Sequence, residues 1–270
     1  LSKRSLFLRL IPCFLIVTLG LVALAGCGDS TTLTSGQTTA TTGASASTTL
    51  APSTTTTVSA PPSGQSPRGG GTQNADASSV ETKYLDVAYA DASESQKLDI
   101  YLPNTGSGPY PVIVAIHGGA FLMGDKADGQ LTPMLAGLDR GYAVVSINYR
   151  LSNEAQFPAQ INDVKAAIRF IRANAAEYDL DPDKIAAWGG SSGGYLAAML
   201  GTSGGVADLE GTSQGNPDQS SAVQAVVDWF GPISFLEMDP QFTASGIGPA
   251  NHNAADSPES QLLGKALTEV

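Results

Sequence analysis

KIAAWGGSSGGYLAAML, residues 184–200, joins an apolar run to a helix-like pattern through a glycine-rich turn that holds two serines. The run at 184–188 predicts a buried strand, and Leu196, Met199 and Leu200 after the turn share one face of a helix. A sharp turn from strand to helix exposes a serine hydroxyl at the top of a sheet, beside the positive end of the helix dipole. The stretch therefore predicts a reactive serine at a strand-to-helix turn.

Either serine of this turn fits the pattern. Ser191 has a glycine two residues before it and another two residues after it, and so does Ser192. Glycine is needed at both places because such a turn packs too tightly for a Cβ. Steric reasoning from the sequence therefore leaves the two serines equal.

The chain from residue 80 onward alternates strand-like with helix-like patterns. The run PVIVAI at 111–116 is continuous and β-branched, as in a strand covered on both faces of a parallel sheet. Apolar residues from Ile161 to Ala175 recur every three or four positions, which indicates a helix with one buried stripe. Gly141 is a natural C-cap for an earlier helix. The alternation predicts an α/β fold with a largely parallel sheet. The predicted strands are 84–90, 97–102, 111–116, 142–148, 184–188 and 222–230, and the predicted helices are 131–140, 158–178 and one that begins after the serines.

A second glycine-rich turn, HGGAF at 117–121, follows the strand at 111–116. In an open parallel sheet the carboxyl ends of the strands share one rim, so the two turns should meet there. Backbone N–H groups of such a loop can stabilise a developing oxyanion, and the loss of one donor typically lowers the rate by ~10²–10³. The two turns together predict acyl-transfer chemistry.

The chain resembles the α/β-hydrolase superfamily in two motifs and the stretch between them. The motifs are HGGAF and GGSSGG, and the stretch is FPAQINDVKAAIRFIRANAAEYDLDPDKIAAW. Within it the chain is similar to the hormone-sensitive-lipase-like carboxylesterases and, more closely, to the acetylxylan/feruloyl-esterase-like branch. The resemblance covers residues from about 80 to 235. It implies an α/β-hydrolase fold over 80–270 and a serine esterase that uses no cofactor.

The resemblance also assigns the residues of the site. The family run Gly-x-Ser-Ala-Gly-Gly, laid on this turn, makes Ser191 the nucleophile and gives the backbone N–H of Ser192 to the oxyanion hole. Gly119 and Ala120 are the implied donors of the other loop, and Gly118 completes the oxyanion-hole set by permitting its turn.

The acid and the base that such a serine needs are not evident in the sequence. The family order is Ser, then Asp or Glu, then His. His117 precedes the serine and is expected to brace the oxyanion loop, whereas His252 lies in a polar stretch and is expected to be a surface or lid residue. Asp228 comes one strand too early for the acid, and Asp181 and Asp183 are typical of a turn and a cap.

No buried-strand pattern follows Phe235. The resemblance therefore predicts that the final two strand–helix units, with the acid and the base, are missing. The chain as given is expected to be catalytically incompetent, with an unpaired sheet edge, and its first residue, leucine, also suggests an incomplete gene product. The last stretch, SPESQLLGKALTEV at 257–270, predicts the start of a helix without a terminal cap.

The N-terminal part has the order of a bacterial secretion signal. A basic flank precedes an apolar run from Leu10 to Ala25, and LAGC at 24–27 resembles a lipobox, which predicts a signal peptide over 1–26 and lipidation of Cys27. An ordinary signal peptide with an incidental cysteine and an uncleaved anchor are the alternatives. Residues 27–79, poor in charge and rich in Thr, Ser, Ala, Gly and Pro, predict a disordered tether. We expect a lipid-anchored, extracytoplasmic protein on the bacterial cell surface or periplasmic face.

Composition excludes several partners and sites. The chain has 25 acidic and 14 basic residues and a formal net charge of −11, without a Lys/Arg cluster, which argues against nucleic acid and against electrostatic docking on anionic lipid. Two cysteines, Cys13 and Cys27, exclude a disulfide framework because Cys13 lies in the predicted signal peptide. No cluster of residues has the spacing of a metal site, so neither a metal nor another cofactor is expected.

The sequence thus favours a secreted, lipid-tethered serine esterase that hydrolyses short acyl esters of small molecules or polysaccharides. Acetyl or feruloyl groups on carbohydrate are implied by the family resemblance alone. Two alternatives stay open. One is a serine peptidase of the same fold, although such peptidases usually carry a propeller domain where this chain has the tether. The other is a non-catalytic binding protein that has lost its base.

Overall fold

The structure is a computed structural model that describes residues 73–270. The predicted signal peptide, the lipidation site Cys27 and the tether up to residue 72 lie outside the described residues. In the described part, no helix has both the length and the apolar character needed to cross a membrane.

One mixed sheet organises residues 83–229. Its strand order is β1-β2-β4-β3-β5-β6, in which β3 pairs in parallel with β4 and β5, and β5 in parallel with β6, whereas β2 runs antiparallel to β1 and β4. The predicted α/β fold with a mostly parallel sheet is confirmed. The strands are β1 (Lys83–Ala88), β2 (Lys97–Tyr101), β3 (Tyr110–Ile116), β4 (Ala143–Ile147), β5 (Leu180–Gly190) and β6 (Ala225–Trp229).

Helices cover the sheet on both faces, which explains why β3 and β4 are continuous apolar runs. They are α1 (Thr132–Leu135), α2 (Ala159–Ala173), α3 (Ser192–Thr202), α4 (Phe235–Ser245) and α5 (Pro258–Leu263). On one face α2 and α3 bury the large core with alternate residues of the strands, among them Val112, Val114 and Val145. On the other face Ala115 and Val144 pack with Leu131 and Met134 around α1.

The residues just before 80 also contact this second face. Asn74 forms a β-bridge with Asp128, and the N–H of Ala75 donates to the carbonyl oxygen of Ala127 at 2.9 Å. Ala75 and Ala77 pack against the same cluster as Val80. The packed part of the chain thus begins a few residues before residue 80.

Two predicted helices differ from the observed ones. The helix predicted over 131–140 is interrupted, because the N–H of Gly137 bonds back only three residues, to Met134, and residues 138–140 form a 3₁₀ turn. Gly141, with φ 79°, does cap that turn. The helix predicted over 158–178 ends at Ala173, where Asn174 leaves the helical conformation with φ −109° and ψ 15°, and the Asn174 side-chain amide donates to the Phe170 carbonyl oxygen at 2.8 Å. Its predicted buried stripe is present.

The C-terminal part corrects the expectation of an uncapped helix. The Ser257 hydroxyl accepts the Ser260 N–H at 3.1 Å and caps the start of α5, and Gly264, with φ 74°, closes its end. No strand follows β6 in the described residues. β6 therefore lies at the edge of the described sheet. Its sequence predicts a strand covered on both faces, but the observed strand is largely exposed.

Candidate active site

Ser191 occupies the turn between β5 and α3. Its backbone has φ 55° and ψ −125°, a conformation that costs an L-residue about 1–3 kcal/mol. Its N–H donates to the Trp229 carbonyl oxygen at 2.8 Å, and its carbonyl oxygen accepts the Tyr195 N–H at 3.0 Å. The end of β6 and the first turn of α3 together hold this strained position.

The surroundings of the glycines distinguish the two serines. A Cβ on Gly189, two residues before Ser191, would overlap the carbonyl oxygen of Gly193. A Cβ on Gly190, two residues before Ser192, would lie 3.6 Å from the Phe230 ring, which is an ordinary contact. At the position two residues before the serine, close packing thus requires glycine in the Ser191 frame and not in the Ser192 frame, whereas the glycine two residues after the serine is tightly packed in both.

Exposure distinguishes them as well. Ser192 is 1% exposed and begins α3, and its hydroxyl oxygen is buried, whereas Ser191 is half-buried. An attacking oxygen must reach a substrate, so the geometry favours Ser191 as the reactive hydroxyl.

The HGGAF loop curls tightly beside Ser191. Gly119 (φ 122°), Ala120 (φ 56°) and Phe121 (φ 60°) are three successive residues with left-handed backbone. The carbonyl oxygen of Gly119 accepts the N–H groups of Leu122 and Met123 at 3.0 and 3.1 Å, which closes the curl. Among the described residues, the N–H groups of Gly119 and Ala120 have no acceptor.

These donors form an anion site together with the turn between β5 and α3. The N–H of Ser192 has no acceptor within its helix because it is the first residue of α3. Gly118, by contrast, donates its N–H to Oε1 of Gln130 at 2.9 Å. The arrangement offers Gly119, Ala120 and Ser192 as oxyanion donors and leaves Gly118 the role of permitting the turn.

His117 and Tyr149 brace this loop from below. The two rings stack with centroids 4.4 Å apart, and the Tyr149 hydroxyl donates to the His117 carbonyl oxygen at 3.0 Å. Nδ1 of His117 lies 2.9 Å from the carbonyl oxygen of Gly118, which can only accept, so Nδ1 carries the proton. Burial raises the pKa of Tyr149 and keeps its hydroxyl a donor. The bracing role expected for His117 is the one observed.

Three aromatic rings tie the loop to α3 and α4. Phe121 packs edge-on against Tyr195 with centroids 5.4 Å apart, and Tyr195 stacks on Phe235 at 5.0 Å. Burial raises the pKa of Tyr195 to about 12. The position of the oxyanion loop is therefore fixed by packing against two helices as well as by its own hydrogen bonds.

A cavity of about 460 Å³ opens over Ser191. Ala120, Phe121 and the two serines line it from the glycine turns, and Phe230 and Pro232 line it from the segment after β6. Residues 251–259 contribute a polar wall that includes His252 and Glu259. This volume accommodates a small ester.

The structure brings His252 into this cavity with a partner that the sequence analysis missed. Nδ1 of His252 lies 3.0 Å from Oδ1 of Asp239 on α4. The Asp239 carboxylate also accepts the N–H groups of His252 and Asn253 at 2.7 and 3.0 Å. Burial raises the pKa of Asp239, but these hydrogen bonds and the His252 ring lower it more, so the pKa lies below its usual range. No sequence signal marks Asp239, because only the fold of α4 and the following loop joins it to His252.

The order Ser191, Asp239, His252 is the order Ser, Asp, His of the resembled family. The Ser191 hydroxyl nevertheless makes no hydrogen bond to either histidine within residues 73–270. The serine and the His252 ring line one cavity, with no hydrogen bond between them in the described residues.

Two other carboxylates considered from the sequence, Asp228 and Asp181, have structural roles. Asp228 accepts the Gly231 N–H at 2.8 Å and lies where a Cβ on Gly194 would be. Asp181 accepts the Asp183 N–H at 3.0 Å and pairs with Lys184 at 2.9 Å, which makes it a turn residue as predicted.

Comparison with known proteins agrees with this chemistry. The family model described as BD-FAE matches residues 98–270. A solved truncated form of a carbohydrate esterase from gut microbiota is 40% identical, with a TM-score of 0.63, over 72% of this chain and 69% of that one. A bifunctional GH43-CE protein of Bacteroides eggerthii is 45% identical, with a TM-score of 0.61, over 69% of this chain and 24% of that one.

Curated relatives are longer proteins. Esterase LipQ of Mycobacterium tuberculosis is 35% identical over 148 residues, which are 54% of this chain and 34% of the relative. The match thus spans about a third of such a relative.

The packing of Gly118 gives a test of the oxyanion site. A Cβ there would lie 2.7 Å from the Gly190 carbonyl oxygen and 3.3 Å from the Ser191 Cβ, so Gly118→Ala must push the two turns apart. In the full-length protein that contains this chain, we expect it to lower kcat for p-nitrophenyl acetate by ~10²-fold or more, because the oxyanion donors are displaced. Gly204→Ala, where a Cβ meets nothing within 4 Å, is the matched control and should stay within about twofold. A wild-type rate for Gly118→Ala would show that this contact does not position the donors.

Proposed function

Because this chain belongs to the BD-FAE family of α/β-hydrolase carboxylesterases, we propose that it carries the nucleophile and the oxyanion hole of a serine carboxylesterase for short acyl esters. The observation that carries the proposal is the strained Ser191 turn next to the unpaired N–H groups of Gly119 and Ala120. Carbohydrate esters, acetylated or feruloylated, are the proposed substrates. The carbohydrate-esterase neighbours support this choice.

The proposed reaction has two halves. The Ser191 oxygen attacks the ester carbonyl carbon, its proton passes to a base, and the carbonyl oxygen becomes an oxyanion held by the N–H groups of Gly119, Ala120 and Ser192. The C–O bond to the alcohol then breaks, and the alcohol leaves with the proton. Water hydrolyses the acyl-serine by the same route and releases the acid.

The base of this reaction is not His252 in our proposal. A serine base must lie within hydrogen-bond reach of the hydroxyl, directly or through one water. The His252 ring is bonded to Asp239 through Nδ1, and within residues 73–270 no hydrogen bond joins the ring to the serine. We assign His252 to the wall that contacts the substrate.

The serine assignment is tested in the full-length protein that contains this chain, with p-nitrophenyl acetate as substrate. Ser191→Ala should abolish turnover, with a loss of ~10⁴-fold or more, because it removes the nucleophile. Ser192→Ala should retain most activity because alanine keeps the backbone N–H. An inactive Ser192→Ala together with an active Ser191→Ala would reverse the assignment.

The role of His252 is tested with the same substrate. We expect His252→Gln to keep kcat within about tenfold of wild type, since loss of a true base typically costs ~10⁴-fold or more. Asp239→Asn, which should release the His252 ring, is the paired variant and should behave alike. A fall of kcat below a thousandth of wild type in both variants would make Asp239 and His252 the acid and base of a triad with Ser191.

The alternatives predict other outcomes of these assays. A serine peptidase would cleave a peptide p-nitroanilide in preference to acetylated xylan. A folded protein that cleaves no ester and no peptide, yet binds acetylated xylan, would be a non-catalytic binding protein. No feature of the described site favours either alternative.

We also propose that the protein is anchored outside the cytoplasm through a lipid on Cys27. The LAGC sequence after an apolar run supports the proposal. Growth with an alkyne-labelled palmitate should label the wild-type protein, and Cys27→Ser should lose the label. Cys13→Ser is the control and should keep it, because Cys13 precedes the proposed cleavage site. Equal labelling of wild type and Cys27→Ser would exclude the anchor.

A further inference from the structure

We infer that Glu259 binds a hydroxyl group of the substrate's alcohol and thereby selects esters of polyhydroxylated alcohols over esters of apolar ones. The inference rests on the proposed function and names the residue that determines its specificity. It is carried by a buried carboxylate in the wall of the cavity over Ser191 that has no partner among residues 73–270.

Glu259 is only 5% exposed, and it lines that cavity. Neither carboxylate oxygen makes a hydrogen bond or ion pair with any residue from 73 to 270, and Oε2 is fully buried. An isolated buried carboxylate is strongly unfavourable unless something binds it. A ligand that donates hydrogen bonds would supply what residues 73–270 do not.

The helix that carries Glu259 is fixed, so the carboxylate cannot swing out to solvent with it. Leu262, one turn on, is completely buried in the main core, and its carbonyl oxygen accepts the Phe157 N–H at 2.9 Å. Ser257 caps the helix start, and Gly264 at its end lies against Gln156. The position of Glu259 in the cavity wall is therefore built into the fold.

His252 adds a second acceptor to the same wall. Because the Asp239 carboxylate can only accept, Nδ1 of His252 carries a proton, and in the neutral ring Nε2 is then an acceptor. The Glu259 carboxylate and Nε2 of His252 are therefore both hydrogen-bond acceptors that a ligand with hydroxyl donors can satisfy. A sugar or another polyol offers several hydroxyl donors, whereas the alkyl alcohol of a lipid ester offers none and would leave the carboxylate desolvated and unpaired.

The test compares two esters in the full-length protein: an O-acetylated methyl xyloside and p-nitrophenyl acetate, whose alcohol has no further hydroxyl. Glu259→Met fills the same volume without an acceptor. We expect kcat/KM for the xyloside to fall ~10- to 100-fold, the usual effect of losing a hydrogen bond to a charged group, mainly through KM. The value for p-nitrophenyl acetate should stay within about twofold. Glu259→Gln keeps a carbonyl oxygen and should lose less than Glu259→Met.

The control is Glu269→Met, which changes an exposed glutamate of the same C-terminal segment and should alter neither ester. The thermal midpoint gives a readout that separates binding from structure. Glu259→Met should melt at or above the wild-type temperature, because it removes an unpaired buried charge. A lower midpoint with equal losses on both esters would make Glu259 structural and overturn the inference.

Three further outcomes would also overturn it. Unchanged selectivity in Glu259→Met, with wild type active on p-nitrophenyl acetate, would refute the role of Glu259 and leave the esterase intact. A preference of wild type for acetylcholine that Glu259→Met removes would assign the carboxylate to a cationic alcohol instead. Wild type inactive on every ester would refute the proposed function, and the inference with it.

Discussion

Backbone contacts between two glycine turns set the geometry of the whole site. A Cβ on Gly193 would overlap the carbonyl oxygen of Ile116, and one on Gly118 would lie 2.7 Å from that of Gly190. The ends of β3 and β5 are thus pressed together without side chains between them. Because backbone atoms have no rotamers, the spacing between the Ser191 backbone and the oxyanion donors does not depend on side-chain order.

The strain in these turns is held by packing elsewhere. Ser191, Ala120 and Phe121 all have positive φ, each at about 1–3 kcal/mol. Burying a large apolar side chain contributes a similar amount, about 1.5–3 kcal/mol. The buried ring of Phe121, with Tyr195 and Phe235 around it, and the Tyr149 stack below the loop can therefore offset the strain locally. The scaffold is rigid where the chemistry needs fixed donors.

Local patterns predicted the parts of the site that depend on local chemistry. Turn glycines and flanking runs were enough to predict a reactive serine at 191 or 192 and the HGGAF loop. The choice of Ser191 came from the family resemblance, and the neighbours of Gly189 and Gly190, which only the fold supplies, give a physical reason for it. The prediction of a continuous helix over 131–140 was wrong, because hydrogen bonds that span three residues replace the four-residue bonds that its apolar spacing predicts. The roles of Asp239 and Glu259 could not be predicted, because their positions near the cavity depend on the packing of α4 and α5 and not on any motif.

The bond from the Ser191 N–H to the Trp229 carbonyl oxygen has a consequence for dynamics. Trp229 is the last residue of β6, so the amide of the reactive serine is bonded to the neighbouring strand as well as to its own turn. Local opening of β6 would free that amide while the core stays closed. The population of the competent turn, and hence the fraction of molecules ready to react at any instant, is therefore coupled to the local stability of a strand that contributes no reacting group.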